Sequence, residues 1–220
     1  MTATGIGAPV RRREDQRFVT GKGRYTDDLS RPGQAHAYFL RSPHAHATIR
    51  GIDAGAAKAM PGVLAVLTGE DLAADKIGGL ICGWMIHSKD GSPMKAGPHP
   101  ALAQGKVRYV GDHVAVVVAE TYAQAKDAAE AIVVDYDVLP AIVETAAAQK
   151  AGAPQVHDVA DDNTVFRWHL GDKAATDAAF ARAAHVTKID LVNNRLVPNP
   201  IEPRAAIGEY DTGTDSYTLY

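Results

Sequence analysis

The chain has 220 residues and a mass of 23.3 kDa, enough for one large domain or two small ones with a buried core. Its composition, 46% hydrophobic and 22% charged with a mean hydropathy of -0.16, is typical of a globular protein and excludes a disordered or fibrous chain. A net charge of -3 gives no electrostatic reason to expect a nucleic acid or an anionic membrane as partner.

The chain contains one cysteine, Cys82, which excludes an internal disulfide and an iron–sulfur cluster held by this chain alone. This favours a cytoplasmic location. Because Cys82 lies in the apolar run GGLICGW without a charged neighbour, we interpret it as a buried, inert thiol and not as a nucleophile. No apolar stretch approaches the roughly 20 residues that a membrane span needs, and the N-terminus does not have the pattern of a signal peptide.

The first half of the chain predicts several short elements. Residues 1–32 have no clear period and predict an ordered loop. The pattern then predicts strands over AHAYFLR, HATIRGIDA and VLAVLTG, with a short helix, DAGAAKAM, that ends at Pro61. EDL predicts a helical turn after the third strand. Residues 75–105, which we call the excursion, are rich in glycine and proline and predict a long irregular path over the surface.

Regular elements return at Lys106. KVRYVGDHVAVVVAE predicts a short strand, a turn in which Gly111 takes a positive φ, and a strand that is apolar on both faces and central in a sheet. Thr121 is a suitable N-cap for the helix YAQAKDAAEAI, whose Ala128 and Ala129 are small enough to pack closely on that sheet. VVDYDVLPAIV predicts one strand and the start of another, bent at Pro140.

The order strand, helix, strand predicts an α/β or α+β domain over residues 1–146 and a second, incomplete unit over residues 147–220. The second unit is expected to contain a strand within HDVADDNTVFRWHLGD and a helix over DKAATDAAFARAA, capped by Asp172 and with Phe180 on its apolar side. HVTKIDLVNN and RAAIGEYD predict two further strands. DTGTDSYTLY predicts a hairpin whose second strand has barely begun at Tyr220.

Two histidines are the first candidates for a metal site. His44 and His46 would lie on one face of an extended segment, a geometry that can hold zinc. A site also needs enough ligands, and no third ligand is indicated nearby, so we interpret both as ordinary surface or packing residues. The other histidines occur singly and have the same interpretation.

Other motifs offer no catalytic set. The glycine pairs do not extend to a dinucleotide-binding or P-loop pattern. Two acidic pairs have diverging side chains in an extended chain, so we interpret them as turn or helix-approach residues: Asp27 with Asp28, and Asp161 with Asp162. Glu202, in the tripeptide IEP, has no base, nucleophile or metal ligand at a recognisable spacing. The residues alone therefore predict no catalytic, cofactor-binding or metal-binding residue.

Several long motifs nevertheless resemble one family in register. They are RREDQRFVTGKGRYTDD, AYFLRSPHAHATI, MPGVLAVLTGEDL, KVRYVGDHVAVVVAET, AIVVDYDVLPAIV, WHLGDKAATDAAFARAAHV and NRLVPNPIEPRAAIGEYD. In this order they resemble the N-terminal part of the molybdopterin-binding large subunit of the xanthine dehydrogenase and aldehyde oxidase family, and in particular its aerobic carbon monoxide dehydrogenase branch. The resemblance spans nearly the whole chain.

The resemblance implies an α+β fold: an αβ hammerhead domain over 1–146, then the incomplete start of a molybdenum-cofactor-binding α/β domain over 147–220. It implies an oxidoreductase that oxidises carbon monoxide, an aldehyde or an N-heteroaromatic with water as oxygen source. A molybdenum–pterin cofactor carries that chemistry. Implied partners are the remainder of the large subunit and iron–sulfur and FAD-binding subunits, in an oligomer of heterotrimers.

The family's cofactor-contacting residues and catalytic glutamate have no counterpart in this sequence, and Glu202 matches a family glutamate for which a structural contact is the expected role. Our leading hypothesis is a scaffold segment of a molybdenum hydroxylase large subunit, either truncated or one half of a split subunit. The alternative is a stand-alone, non-catalytic hammerhead module for subunit contact or assembly. An independent hydrolase is disfavoured because no nucleophile is paired with a base.

Overall fold

The computed structural model describes residues 5–194, 196–200 and 203–220. Its backbone divides into two compact units. The central unit is Ala35–Thr187, and the terminal unit combines Met1–Gln34 with Lys188–Tyr220. Within the described ranges, no helix has both the length and the apolar composition needed to cross a bilayer.

The regular elements are short. The strands are β1 (His36–Arg41), β2 (Ala47–Asp53), β3 (Val63–Thr68), β4 (Lys106–Val107), β5 (His113–Ala119), β6 (Val133–Val138), β7 (Gly208–Asp211) and β8 (Ser216–Leu219). The helices are α1 (Asp15–Val19), α2 (Gly55–Lys58), α3 (Gly69–Ala74), α4 (Tyr122–Glu130) and α5 (Lys173–Arg182), with a 3-10 turn at Thr26–Asp28. The central unit holds β1 to β6 and α2 to α5; the terminal unit holds the rest.

Strand β5 is the centre of the first sheet of the central unit. The sheet has the order β1-β5-β3, and both pairings are antiparallel. Val117 in β5 lies opposite Tyr38 on one side and Val66 on the other, and its side chain is fully buried. The alternation of buried and half-buried residues in β5 shows that both of its faces are covered. The predicted central position of the VAVVV strand is therefore confirmed.

Helix α4 covers this sheet. The Thr121 hydroxyl accepts a hydrogen bond from the N–H of Gln124 at 3.3 Å, which caps the helix as predicted. Ala125, Ala128 and Ala129 are fully buried in the same apolar cluster as the β5 side chains. Because alanine adds only a methyl group, the helix axis approaches the sheet closely. The capped, alanine-rich helix thus closes the first core.

A second three-stranded sheet has the order β4-β2-β6. Ala47 in β2 pairs with Val107 of β4 and Val138 of β6, and both Ala47 and Val107 are fully buried. Val114 of β5 belongs to the same apolar cluster, so β5 contributes to the cores of both sheets. The turn before β5 has Gly111 at φ +92, the left-handed conformation predicted from the sequence.

Three predicted strands do not form in this chain. Residues 139–143, 157–172 and 185–194 contain no strand, although each has a strand-like apolar pattern. β6 ends at Val138, and the next N–H, of Leu139, donates to the carbonyl of His46 and does not continue a ladder. A strand needs a neighbour as well as a pattern, and these segments have no ladder partner among the described residues.

Helix α5 forms where the sequence predicts it, but it does not pack as predicted. The Asp172 carboxylate accepts a hydrogen bond from the Ala175 N–H at 2.9 Å and caps the helix. Phe180, expected on the apolar side of the helix, is 61% exposed, and no residue of α5 is buried. Capping and alanine content therefore support the helix without tertiary contacts from the described residues.

The terminal unit joins distant parts of the chain. β7 and β8 form the predicted hairpin, in which Gly208 pairs with Leu219. The Arg31 guanidinium forms an ion pair with Glu209 of β7 and lies 4.7 Å from the ring centroid of Tyr220. These two contacts attach the N-terminal segment to the hairpin.

We expect Val117→Ala to lower the free energy of unfolding by about 2 kcal/mol, since it removes buried methyl groups and leaves a cavity beside β1 and β3. Urea denaturation followed by circular dichroism measures the change. Val143→Ala is the matched control, because Val143 is 89% exposed and should change stability by less than about 0.5 kcal/mol. Equal effects of the two variants would contradict the central role of β5.

Candidate functional site

The two histidines considered as metal ligands have packing roles. The His44 N–H donates to the Ser42 hydroxyl at 3.0 Å, and its ring meets Tyr136 edge to face with centroids 4.9 Å apart. His46 is buried, with Nδ1 2.9 Å from the carbonyl oxygen of Pro140. In the part of the chain that the structure describes, no three or more His, Cys, Asp or Glu side chains converge on a possible metal position.

The interpretation of Cys82 as a buried thiol is wrong, because its side chain is exposed. The thiol donates to the carbonyl of Trp84 at 3.3 Å. The run GGLICGW is apolar in composition, but it lies in the excursion, where no regular element shields it. The apolar composition of this run suggested that Cys82 is buried in a core, but the run lies on the surface.

The acidic candidates occupy turns where they are described. The Asp28 carboxylate accepts from the Tyr25 N–H at 3.0 Å, and Asp162 accepts from the Thr164 N–H at 3.1 Å. Both bonds are of the turn-forming kind predicted from the sequence. Glu202 lies outside the described residues.

The excursion is irregular, as predicted, but part of it folds back on itself. The Ser88 N–H donates to the Ser92 carbonyl at 2.7 Å, and the Met94 N–H donates to the Ile86 carbonyl at 2.8 Å. Gly91, at φ +84, lies in the turn that joins residues 86–88 to residues 92–94. The excursion therefore presents an ordered, hairpin-like projection and not a featureless loop.

A later segment of the central unit fixes this projection. The Lys89 N–H donates to the carbonyl of Arg167 at 2.8 Å, and the Lys95 N–H donates to the carbonyl of Val165 at 2.9 Å. The Arg167 N–H donates to the Ser88 hydroxyl at 3.2 Å. A cavity of about 530 Å³ lies between the projection and residues 162–167. Residues 165–167, which lie in a segment predicted to contain a strand, thus form isolated backbone hydrogen bonds with the projection and no ladder.

The excursion carries a contiguous run of exposed apolar side chains, which we call the apolar patch. Leu80 is 67% exposed, Ile81 93% and Trp84 80%, and Met85 is also exposed. Large apolar side chains so close together on a surface are typical of a protein–protein contact. The apolar patch is therefore a candidate protein–protein contact surface.

A larger cleft of about 1080 Å³ runs along the excursion and β4. Two cations on its wall are mostly shielded from water: Lys106 donates to the Asp158 carboxylate at 3.1 Å, and Arg108 donates to the carbonyl of Val156 at 3.2 Å. The Lys106 hydrogen bond and charge hold the pKa of Asp158 below its usual range. These contacts attach residues 156–158 to β4.

His157 lies beside this ion pair. Its Nδ1 is buried and has no hydrogen-bond partner, and the ring lies so close to Gly97 that a Cβ there would be 2.7 Å from Nδ1. Burial, and then the charge of Arg108, lower the pKa of His157. Any larger residue at position 97 would require the His157 ring or the backbone to move.

Asn163 orders the loop that carries His157, and the sequence interpretation missed it. Its carboxamide oxygen accepts from the Val156 N–H at 2.8 Å, and its amide donates to the carbonyls of Ala148 and Pro154 at 3.0 and 2.9 Å. Its φ of 57 is a left-handed conformation that asparagine tolerates better than most residues. The signal was an asparagine after two aspartates, in a turn-rich stretch.

The charged side chains of this cleft are joined to neighbouring loops by hydrogen bonds and ion pairs. Among the described residues that line this cleft, Cys82 is the one side chain of the serine, threonine or cysteine type, and its thiol donates to the Trp84 carbonyl. In the smaller cavity, the Ser92 hydroxyl donates to the Asp90 carboxylate at 2.6 Å, a bond between residues two apart in one turn. The charged groups are engaged in holding loops together. An exposed apolar patch beside an ordered cleft is what a binding surface requires.

Comparison with known proteins identifies the family. The model of the family described as "Aldehyde oxidase and xanthine dehydrogenase, a/b hammerhead domain" matches residues 20–140, more than half of the chain. The chain belongs to the aldehyde oxidase and xanthine dehydrogenase family. A second family model, described as "Molybdopterin cofactor-binding domain", matches residues 156–220. The chain is therefore a hammerhead domain followed by part of a molybdopterin-binding domain, as the sequence motifs predicted.

Individual relatives agree with this assignment. The chain is 38% identical to the carbon monoxide dehydrogenase large chain of Afipia carboxidovorans, over 98% of this chain and 27% of that relative. The solved structure of quinoline 2-oxidoreductase from Pseudomonas putida 86 matches 97% of this chain with 39% identity and a TM-score of 0.83. The Cu,Mo-CO dehydrogenase structure matches 99% with a TM-score of 0.79. The chain spans about a quarter of the length of these relatives.

The described residues from 166 to 220 do not fit a molybdenum–pterin cofactor. Such a ligand needs an enclosing pocket with converging polar groups. From residue 166 to residue 220, every described residue is exposed except Ile207 and Glu209, which are half-buried. This stretch offers no enclosed position, so no step of the chemistry is assigned to its side chains.

We expect Asn163→Gly to release the loop over residues 148–163 while still tolerating the left-handed backbone. Loss of three hydrogen bonds should speed local amide exchange by about tenfold or more, corresponding to about 1.4 kcal/mol or more. Hydrogen–deuterium exchange measures this, with the exposed Asn194→Gly as control. Unchanged exchange in residues 148–163 would show that Asn163 does not order the loop.

We also expect the low pKa of His157 to make stability depend on pH. Below about pH 6.5, the unfolded chain binds a proton that the folded chain resists, so the free energy of unfolding should rise with pH up to that value. His157→Gln should reduce the slope, and His113, whose pKa burial also lowers, should leave part of it. Urea denaturation between pH 5 and pH 8 tests this, with exposed His185→Gln as control. An unchanged slope in His157→Gln would contradict the assignment.

Proposed function

We propose that the chain is the N-terminal part of a molybdenum hydroxylase large subunit. The observation that carries this proposal is the match of nearly the whole chain, in sequence and in backbone path, to large chains about four times as long. The complete subunit would act as an oxidoreductase that oxidises its substrate with water as oxygen source. The molybdenum–pterin cofactor supplies that oxidation when bound.

The proposed substrate is carbon monoxide, an aldehyde or an N-heteroaromatic. Relatives of comparable identity are named carbon monoxide dehydrogenase, nicotine 6-hydroxylase and aldehyde oxidoreductase, and quinoline 2-oxidoreductase matches in structure. Because these names cover all three substrate classes, they favour no single one.

We propose that residues 1–146 and 147–220 of this chain act as scaffold, with no catalytic, cofactor-binding or metal-binding residue among them. The exposed side chains of residues 166–220 and the contact-forming chemistry of the cleft support this role. The scaffold would present the apolar patch to another polypeptide, and burial of Trp84 and its neighbours would favour that contact.

The proposed partners are the remainder of the large subunit and iron–sulfur and FAD-binding subunits, in a cytoplasmic oligomer of heterotrimers. A single cysteine cannot hold an iron–sulfur cluster, so electrons from an oxidised substrate need carriers outside this chain. The names "large chain" and "large subunit" of the relatives accord with an assembly of several subunits.

A stand-alone assembly module is the second candidate. It is favoured by the central unit, which has two buried clusters and paired strands of its own. The exposed apolar patch and the exposed residues within the molybdopterin-binding match disfavour it. A module without a partner would leave these apolar side chains in water, which is unfavourable.

Metal analysis separates the scaffold proposal from an independent enzyme. We expect the purified 220-residue chain, produced in a host that makes the molybdenum cofactor, to contain only background molybdenum by inductively coupled plasma mass spectrometry. A relative's full-length large chain, purified in parallel, is the positive control. Stoichiometric molybdenum in the 220-residue chain would overturn the scaffold proposal.

A further inference from the structure

Residues 185–194, HVTKIDLVNN, which we call the unpaired segment, have the pattern of a strand without a strand's contacts. Among the described residues, none of their backbone N–H or C=O groups is bonded to another backbone group. Within the segment, the His185 ring lies 3.1 Å from the Thr187 hydroxyl, a local contact between residues two apart. The segment therefore offers a free row of donors and acceptors.

Its side chains are equally unprotected. Ile189 is 72% exposed, Leu191 79% and Val192 88%, and Val186 is also exposed. In an extended chain, Ile189 and Leu191 point to one face, while Val186 and Val192 point to the other. Because Lys188 and Asp190 lie between Val186 and Val192, the second face is mixed, and the pattern is typical of a strand with one face on a core and the other partly polar.

The comparisons indicate what covers the segment. Solved chains match 97% and 99% of this chain with TM-scores of 0.83 and 0.79, so the backbone follows a path that exists in chains about four times as long. The segment also lies within the match to the molybdopterin cofactor-binding domain. In those relatives, about three quarters of the large chain lies outside the matched part, and this remainder is long enough to contain a strand that covers the segment.

We propose that residues 185–194 are a docking strand that pairs with a strand from the remaining part of the large subunit. Backbone hydrogen bonds would provide affinity, and pockets for Ile189 and Leu191 on one face would fix the register. This inference rests on the proposed function and adds the place where the two parts of the subunit join. Ten residues in a strand extend over about 33 Å.

Hydrogen–deuterium exchange on a chimaera tests the pairing. In it, this chain replaces the matching 27% of the Afipia carboxidovorans carbon monoxide dehydrogenase large chain, so that the partner is covalently present. We expect amides in residues 185–194 to exchange at least 100-fold more slowly in the chimaera than in the isolated chain. One neighbouring strand protects alternate amides and two protect nearly all. Exchange as fast in a folded chimaera as in the isolated chain would overturn the proposal.

A proline variant provides an independent readout. Leu191→Pro removes a backbone donor and blocks a ladder, so it should lower the Tm of the chimaera while leaving the Tm of the isolated chain unchanged. Val143→Pro is the matched control, because Val143 is also exposed and outside any strand. If Leu191→Pro does not yield a soluble chimaera, Leu191→Asp keeps the backbone and should lower its Tm by mismatched burial. Equal Tm values for Leu191→Pro and Val143→Pro in the chimaera would overturn the proposal.

The isolated chain and the molybdenum content distinguish the remaining outcomes. Protection of residues 185–194 in the isolated chain that increases with concentration would mean that a second copy is the partner, which overturns the proposal. Protection in a chimaera without molybdenum supports the docking strand and counts against the proposed function. Molybdenum in a chimaera whose residues 185–194 are not protected supports the proposed function and overturns the docking strand.

Discussion

The central unit depends on the burial of β5. This strand pairs on both sides, with β1 and β3, and its side chains enter two apolar clusters. Helix α4 packs against β5 through alanines, and Val114 of β5 belongs to the apolar cluster of the second sheet. A polar residue at Val117 would therefore disturb both neighbouring pairings at once.

Local pattern was enough to predict the elements around β5. The strands and helix from His36 to Val138, the Thr121 and Asp172 caps and the Gly111 turn were predictable, because each depends on neighbouring residues in sequence. The fold class and family followed from long motifs. The errors at Cys82 and Phe180 share one cause: apolar composition does not say whether a partner surface is present.

The candidate site was less predictable for a related reason. The contacts of His157 with Gly97 and of Asn163 with Ala148 link residues that are far apart or in irregular loops, where periodicity carries no information. The sequence contains the apolar residues of the patch but does not tell whether their side chains are buried or exposed. Their exposure in the folded chain indicates that these side chains form a contact surface and not part of a core.

The ion pair between Arg31 and Glu209 has a consequence for synthesis. The two residues are 178 positions apart, so their contact can form only after the whole of the central unit has left the ribosome. The strand pairings of the central unit join residues closer in sequence, so this unit should fold first. Until the hairpin of β7 and β8 is synthesised, the N-terminal segment has no Glu209 to pair with. Assembly of the terminal unit is thus a late event, timed by the order in which the chain is translated.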